Sequence, residues 1–151
     1  MRIHIGSDHA GLELKAELIE HLVSNGHDVT DHGPYEYDAL DDDPDLCIPA
    51  AEAVAKDASS LGIVLGGSGN GEQIAANKVN GVRAALAWSI ETAKLAKDHN
   101  NANVIAVGGR MHEISFVKEI IDAFIAHPFS NDERHVRRIK KISDFENKGC
   151  C

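Results

Sequence analysis

The chain has 151 residues, of which 43% are hydrophobic and 26% are charged. This composition is that of an ordinary globular protein and excludes a disordered, coiled-coil or collagen-like chain. The formal net charge is −9, which argues against a nucleic-acid-binding surface because phosphate backbones need a basic footprint. No apolar run approaches the roughly 18 residues of a transmembrane span, so we expect no membrane partner.

Length and cysteine usage indicate the domain organisation and the compartment. We expect one domain over residues 1–151, with a frayed tail over residues 146–151. The chain begins with a strand-like pattern rather than a signal peptide, and Cys47, Cys150 and Cys151 lack the spacing of a disulfide framework. Both features favour the cytoplasm, with Cys47 as a small buried hydrophobe and no catalytic cysteine.

Short apolar runs alternate with stretches of helical periodicity along the whole chain. The runs predict strands over residues 2–6, 27–31, 62–65, 82–87 and 104–107. The periodic stretches predict helices over residues 12–25, 43–56, 72–78, 89–99, 115–127 and 132–145. The expected helix N-caps are Asp43, followed by Pro44, and then Ser89, Ser115 and Asp132.

This alternation predicts an α/β fold. We expect a three-layer α/β/α sandwich with a five-stranded, parallel, Rossmann-like sheet and a C-terminal helix. Ligands of such sheets bind beyond the carboxyl ends of the strands. We therefore expect four segments at that edge: Ser7 to His9, the glycine-rich residues 66–71, His99 with Asn100, and Gly108 to Arg110.

The glycine-rich loop after the predicted third strand is the strongest local signal. Four glycines lie within the six residues 66–71, and glycine lets several backbone N–H groups point toward one spot. The helix that follows adds positive potential, so the loop can hold an oxyanion or a phosphate, or form only a tight turn. It lacks the Lys-Ser/Thr of a Walker A loop and reads G-x-G-x-E rather than G-x-G-x-x-G, which argues against a nucleotide site.

Two titratable residues near predicted helix ends are candidates for proton transfer. Glu72, in the first turn after the loop, is either a general base that faces a substrate or a helix cap. His99 lies near a helix C-terminus, where the helix dipole favours protonated imidazole. It is therefore either a general acid, for example one that opens a sugar ring, or a C-capping residue.

The last predicted helix carries a basic face and an apolar stripe. Arg134 and Arg138 are four residues apart and share one face, which can grip a phosphate or can be a solvated face paired with the acidic loop at residues 36–45. The apolar stripe predicts that the helix docks onto the rest of the chain; it consists of Val136, Ile139, Ile142 and Phe145.

Other chemistries find little support. The nine histidines include no H-E-x-x-H or H-x-x-x-H pair, and no Cys/His cluster has zinc spacing. No G-x-S-x-G nucleophile elbow occurs. We expect neither a metal nor a cofactor.

Taken together, these motifs resemble the type B ribose-5-phosphate isomerases, a family that also includes galactose-6-phosphate isomerase subunits and allose-6-phosphate isomerases. The similarity spans residues 2–146 and several motifs in order. They are Ser7-Asp8-His9-Ala10-Gly11 with Lys15, Gly66-Gly67-Ser68-Gly69-Asn70-Gly71 leading to Ile74-Ala75-Ala76-Asn77-Lys78, His99-Asn100-Asn101-Ala102-Asn103, and Gly108-Gly109-Arg110.

The resemblance implies a metal-free aldose–ketose isomerase that interconverts ribose 5-phosphate and ribulose 5-phosphate through a cis-enediol. In many members a cysteine at the start of the glycine loop is the base, but this position is Gly66 here. A second branch carries a glutamate after the loop, and similarity to it implies Glu72 as the base. The same analogy implies that His99 opens the furanose ring.

Substrate-binding roles are likewise implied by the resemblance. Asp8 helps to handle the ring-opening proton. The enediolate is held by Ser68 and by the backbone amides of Gly67, Gly69, Asn70 and Gly71. The sugar is oriented by Asn100 and Arg110. His9, Arg134 and Arg138 bind the phosphate. The family also implies a homodimer, with tetramers in some members, in which His99 and Asn100 face loops of the neighbouring subunit.

One departure from the family pattern bears on the substrate. Many relatives have an aromatic residue before the proline of the acidic loop, where this chain has Asp43. Asp43 either repels a sugar phosphate or caps the following helix. This departure leaves the preferred sugar open, not the type of reaction. Three alternatives to the ribose 5-phosphate isomerase are kept: the same chemistry on a tetrose or hexose phosphate, a non-catalytic sugar-phosphate-binding protein of the same fold, and a flavodoxin-like or nucleotide-binding module.

Overall fold

A computed structural model describes residues 1–148 and contains a five-stranded sheet flanked by helices. The expectations for Cys150 and Cys151 lie outside the described residues. The elements follow in the order β1 (Arg2–Ser7), α1 (Leu12–Ser24), β2 (Asp28–Asp31), α2 (Asp43–Lys56), β3 (Leu61–Gly66), α3 (Asn70–Ala76), β4 (Ala84–Leu86), α4 (Ile90–Asn100), β5 (Val104–Gly108), α5 (Ile114–Ala126) and α6 (Glu133–Lys148). No described helix is long and apolar enough to cross a membrane.

All neighbouring strands are parallel, in the order β2-β1-β3-β5-β4. Helices α1, α4 and α5 pack on one face of the sheet, and α2 and α3 pack on the other. The predicted three-layer α/β/α sandwich is confirmed. The chain moves outward from β1 to β2 and then returns to β3 on the other side, so a topological switch point lies between β1 and β3, where such sheets bind ligands.

Local signals determine several helix ends. Gly26 adopts φ 82° after α1, and its N–H and that of His27 close the helix with hydrogen bonds to the carbonyl groups of Val23 and Leu22, as in a Schellman motif. Ser89 and Thr92 form the capping box of α4. The predicted cap at Ser89 is thus confirmed.

Two predicted caps are wrong by one or two residues. Asp42 rather than Asp43 is the N-cap of α2, and Asp43 is the first helical residue. Glu113 rather than Ser115 is the N-cap of α5, and it makes no side-chain capping bond. At α2 an aspartate still holds the cap position, one residue earlier than predicted, whereas at α5 the chain enters the helix before it reaches Ser115.

The apolar stripe of α6 does not dock onto its own chain, contrary to the prediction. Val136, Ile142 and Phe145 are 46%, 51% and 78% exposed. The one buried residue of α6 is His135, near the start of the helix. The helix continues to Lys148, three residues beyond the predicted end, and its apolar stripe is left uncovered by the described chain.

Lys15 fixes the start of the acidic loop against the sheet. Its side chain is 2% exposed, and Nζ lies 2.7 Å from Oδ1 of Asp31 and 2.6 Å from the carbonyl oxygen of Pro34. The backbone N–H of Ser7 donates to the carbonyl of Gly33 over 3.1 Å. A partly buried, hydrogen-bonded ion pair therefore holds the chain after β2 beside the carboxyl end of β1.

Candidate active site

The switch point brings together Asp8, at the end of β1, and the loop after β3. The N–H of Asp8 donates to the carbonyl of Leu65 over 3.1 Å, and its carboxylate accepts from the N–H of Gly11 over 3.1 Å. The carboxylate thereby caps the single turn that precedes α1. These bonds hold Asp8 at the carboxyl edge of the sheet, as predicted.

His9 is oriented by a residue that the sequence alone did not identify. Its Nδ1 lies 2.6 Å from Oδ1 of Asp41, in the acidic loop, and its ring meets that of Tyr37 edge-on. The Asp41 pairing fixes the ring so that Nε2 is the nitrogen left for a ligand. Thirty-two residues separate the two partners, so no local pattern predicts this pair.

The glycine-rich loop turns sharply from β3 into α3. Gly69 has φ 83°, a left-handed conformation that favours glycine. Helix α3 begins at Asn70, two residues earlier than predicted. The Ser68 hydroxyl accepts from the backbone N–H of Asn70 over 3.3 Å and from its side-chain amide over 3.2 Å. Both side chains line a pocket of about 240 Å³ with Met111 and His112.

Glu72, the third residue of α3, turns its carboxylate back under the loop rather than outward. It is 5% exposed. A Cβ atom on Gly66 would overlap with Cδ and Oε1 of Glu72. The carboxylate therefore occupies the volume that a side chain at position 66 would need, which explains why the glycine loop starts with glycine in a chain that carries this glutamate.

Burial raises the pKa of the Glu72 carboxyl group, and the negative charges of Asp8 and Asp43 raise it further. A hydrogen bond from its own backbone N–H opposes this shift. Desolvation and like charges both disfavour the ionised form. Glu72 is thus a stronger base than a surface glutamate, as proton abstraction requires.

Asp43 also faces the loop. Its Oδ2 lies 3.2 Å from the position that a Cβ atom on Gly71 would take. Burial raises the pKa of its carboxyl group, and Asp8, Asp42 and Asp41 raise it further. The capping role considered for Asp43 is excluded, because Asp42 holds the cap position.

Arg110 lies beside the same loop, as predicted from its place after β5. Its Nη1 is 3.6 Å from the position of a Cβ atom on Gly67, and its N–H donates to the carbonyl of Gly67 over 3.2 Å. The N–H of Gly109 donates to the carbonyl of Gly66 over 2.7 Å. The ends of β3 and β5 are thereby joined, with an exposed guanidinium at the mouth of the site.

His99 and Asn100 do not lie at this edge, and that prediction is wrong. They end α4, which runs back from β4 and finishes beside the starts of the strands. There, the N–H of Gly62 donates to the carbonyl of Asn103, and Arg83 donates to the carbonyl groups of Asn100 and Asn101. A crossover helix between parallel strands necessarily returns to the amino edge.

His99 sits in a cluster of polar side chains at the amino edge. Its Nε2 lies 3.3 Å from the carboxylate of Asp98, and its ring centroid is 4.5 Å from that of His135. The hydroxyl of Ser130 joins the cluster, 2.9 Å from Nδ1 of His135 and 2.7 Å from the carbonyl of Asp98. These contacts tie the start of α6 to the end of α4 and hold the His99 ring in place.

The arginines of α6 belong to this second group. Arg138 lines a cleft of about 610 Å³ with Asn100 and Trp88. Arg134 is exposed on the same helix, with Nη2 3.5 Å from the carboxylate of its neighbour Asp132. The predicted site residues thus form two groups at opposite edges of one sheet.

We call them the base group and the acid group. The base group comprises Asp8, His9, residues 67–71, Glu72 and Arg110; the acid group comprises His99, Asn100, Arg134 and Arg138. Within one chain the two groups lie at opposite edges of the sheet. Within residues 1–148, no cluster of three or more His, Cys, Asp or Glu side chains could hold a metal ion.

Known proteins are similar to this chain over nearly its whole length. Residues 3–142 match the family described as Ribose/Galactose Isomerase. Ribose-5-phosphate isomerase B of Mycolicibacterium paratuberculosis is 57% identical over 146 residues, covering 97% of this chain and 92% of the relative. Galactose-6-phosphate isomerase subunit LacB of Clostridium acetobutylicum is 41% identical, covering 96% and 83%.

Solved structures show the same fold. Ribose-5-phosphate isomerase B from Mycoplasma genitalium with bound ribulose-5-phosphate superposes with a TM-score of 0.94 at 44% identity. The match covers 97% of this chain and 96% of that one. The resemblance noted from the sequence motifs is confirmed at the level of the family. The chain belongs to the ribose/galactose isomerase family and is an isomerase.

Proposed function

We propose that the chain interconverts ribose 5-phosphate and ribulose 5-phosphate by proton transfer through a cis-enediol or enediolate intermediate. The observation that carries this proposal is the buried Glu72 carboxylate, seated in the volume left by Gly66. The Mycoplasma genitalium relative, with its bound ribulose-5-phosphate, supports the choice of substrate. A cytoplasmic location is part of the proposal, and the free buried thiol of Cys47 supports it.

The proposed chemistry begins with the furanose ring. His99 donates a proton to the ring oxygen while Asp8 accepts the proton of the C1 hydroxyl, which yields the open-chain aldehyde. Glu72 then removes the proton from C2, and the negative charge moves to the carbonyl oxygen on C1. The proton of the C2 hydroxyl passes to this oxygen, which leaves the negative charge on the oxygen of C2. Protonated Glu72 returns its proton to C1 as the C2 carbonyl forms, and the ketose results. Its raised pKa fits both directions of this transfer.

The remaining residues of the two groups bind rather than react. The hydroxyl of Ser68 and the backbone N–H groups of residues 67–71 hold the enediolate oxygen. Asn100 and Arg110 orient the sugar chain. The phosphate is bound by His9, Arg134 and Arg138 through charge-assisted hydrogen bonds.

We propose a homodimer as the working unit, in which the acid group of one subunit faces the base group of the other. The placement of the two groups at opposite edges supports this arrangement, because one chain cannot bring both groups to the same substrate. The uncovered apolar stripe of α6 supports it as well, because exposed apolar surface of this kind marks interfaces. Tetramers built from such dimers are compatible with the same site.

Turnover of ribose 5-phosphate by the purified, EDTA-treated protein tests the function. We expect ribulose 5-phosphate to form at an unchanged rate after EDTA treatment. A second candidate is the same chemistry on a hexose phosphate, which the galactose-6-phosphate isomerase relative favours; preferential turnover of hexose or tetrose phosphates would support it. A ligand-induced rise of melting temperature without any turnover would show a binding protein instead.

Mixed dimers test the composite site. Glu72→Gln and His99→Asn subunits are each expected to be inactive alone, whereas a heterodimer of the two contains one site with both native residues. Random reassociation should therefore restore about a quarter of wild-type activity. Wild type mixed with the Glu72→Gln/His99→Asn double variant is the control, because its heterodimer has no intact site. Failure of the single variants to complement would contradict a site shared between subunits.

The pH profile tests the electrostatics of the base. Because kcat/KM requires ionised Glu72, its acidic limb reports the pKa of that carboxyl group in the free enzyme. Asp43→Asn removes a negative charge that raises this pKa, so the limb should move to lower pH. Asp45→Asn, an exposed residue of the same helix turn, is the matched control and should leave the limb in place. A shift to higher pH in Asp43→Asn would contradict the assignment.

A further inference from the structure

We propose that Asp43 binds the hydroxyl group on C3 of the sugar phosphate and makes the site selective for the configuration at that carbon. This inference rests on the isomerase function proposed above, and it assigns a role to a residue that the proposed mechanism does not use. It concerns specificity, not the proton transfer itself.

The position of Asp43 supports a role in contacting the substrate. As the first residue of α2, it reaches across to Gly71, with Oδ2 3.2 Å from the site of a Cβ atom there. Gly71 directly precedes Glu72 in the chain. A side chain at position 71 would contact the Asp43 carboxylate, so the glycine leaves this surface open between the loop and α2.

Asp43 lies between the base and the histidine assigned to the phosphate. Its carboxylate is beside Gly71, the residue before Glu72, and it follows by two residues Asp41, whose carboxylate holds His9. The negative charges of Asp43 and Asp8 raise the pKa of Glu72, in line with this position. The groups that act on the Asp43 carboxyl are acidic, from the end of β1 and from the acidic loop. The basic side chains nearby are His9, held by Asp41, and Arg110, beside Gly67.

This order matches the order of groups along an open-chain pentose phosphate. C1 and C2 react at Glu72, and the phosphate on C5 binds at His9. The first hydroxyl between these two ends is that on C3. A carboxylate accepts a hydrogen bond from a hydroxyl without needing a cation, and a site that uses such a bond rejects the analogue that cannot make it.

The C3 epimers ribulose 5-phosphate and xylulose 5-phosphate test this inference. We expect wild type to prefer ribulose 5-phosphate in kcat/KM. Asp43→Ala should lower kcat/KM for ribulose 5-phosphate about 10- to 100-fold, the usual effect of losing a hydrogen bond to a charged group, and should lower that for xylulose 5-phosphate much less. Asp43→Asn, which still accepts a hydrogen bond, should keep most of the preference. Asp45→Asn is the control and should leave both values unchanged.

Binding of the reduced sugars separates this inference from the isomerase function. Ribitol 5-phosphate and xylitol 5-phosphate differ at C3 and cannot isomerise, so calorimetric titration needs no turnover. We expect wild type to prefer ribitol 5-phosphate and folded Asp43→Ala to lose that preference. An unchanged preference in Asp43→Ala, equal affinities in wild type, or no binding of either compound would overturn the role of Asp43. Absence of turnover with this binding pattern intact would overturn only the isomerase function.

Discussion

Glu72→Gln is expected to lower kcat for ribose 5-phosphate about 10²- to 10⁴-fold, the contribution of a positioned general base. Glutamine fills nearly the same volume beneath the glycine loop but cannot accept the C2 proton. KM should change little, because the phosphate contacts that dominate ground-state binding remain. Parallel measurement of kcat, KM and melting temperature checks this result.

The melting temperature of Glu72→Gln serves as its internal control. The carboxylate is buried and carries a raised pKa, so its charge opposes folding at neutral pH. Neutral glutamine should therefore fold at least as well as wild type. Near-normal turnover in a well-folded Glu72→Gln enzyme would show that another group is the base.

Gly66→Ala is expected to cost about 10²-fold or more in kcat, the loss that follows when a catalytic group is displaced by about 1 Å. The added methyl group would overlap with the Glu72 carboxylate. The carboxylate would therefore have to move away from its present position beneath the loop. In the Glu72→Gln background the same alanine should add little further loss, because the displaced base is already absent. Kinetics of the two single variants and the double variant measure this coupling.

Gly81→Ala is the matched control for the glycine substitution. Gly81 has φ 84°, and a Cβ atom placed on it would have open space around it, with no neighbouring atom within 4 Å. An alanine there costs stability through backbone strain, about 1 kcal/mol, but should leave kcat unchanged. Equal losses of kcat in Gly66→Ala and Gly81→Ala would argue that activity falls through instability and not through displacement of Glu72.

Features encoded in short stretches of sequence were predicted well. The apolar run at residues 62–65 lies within β3, and Ser89 caps α4 as expected. Alternation of strands and helices was enough to identify the three-layer fold, because each element carries its own periodicity. The position of Glu72 in the first turn of a helix also followed from the loop pattern alone.

The wrong predictions concern features whose position depends on the path of the chain in space. The positions of His99 and Asn100 were assigned to the carboxyl edge, although the direction of a crossover helix between parallel strands dictates the amino edge. The α6 stripe was expected to be buried by its own chain, because periodicity reveals an apolar face but not what covers it. The cap at Ser115 failed for a related reason, since the loop before α5 enters the helix two residues earlier.

Contacts between distant segments were beyond the reach of the sequence. His9 and Asp41 belong to separate loops, and only the folded chain brings them to 2.6 Å. The overlap between Gly66 and Glu72 likewise depends on how far α3 turns back under its own loop. The motif indicated that both residues matter, and the structure supplies the physical reason that they occur together.

Deuterium incorporation during turnover tests the central claim most directly. Ribose 5-phosphate is converted in D₂O in the presence of EDTA, and the product is followed by proton NMR. If Glu72 carries the proton between C2 and C1, the carboxyl group exchanges with solvent during part of the turnovers, and deuterium appears at C1 of ribulose 5-phosphate. Turnover that requires added metal and transfers the C2 hydrogen to C1 without any deuterium would contradict the enediol mechanism and the role of Glu72.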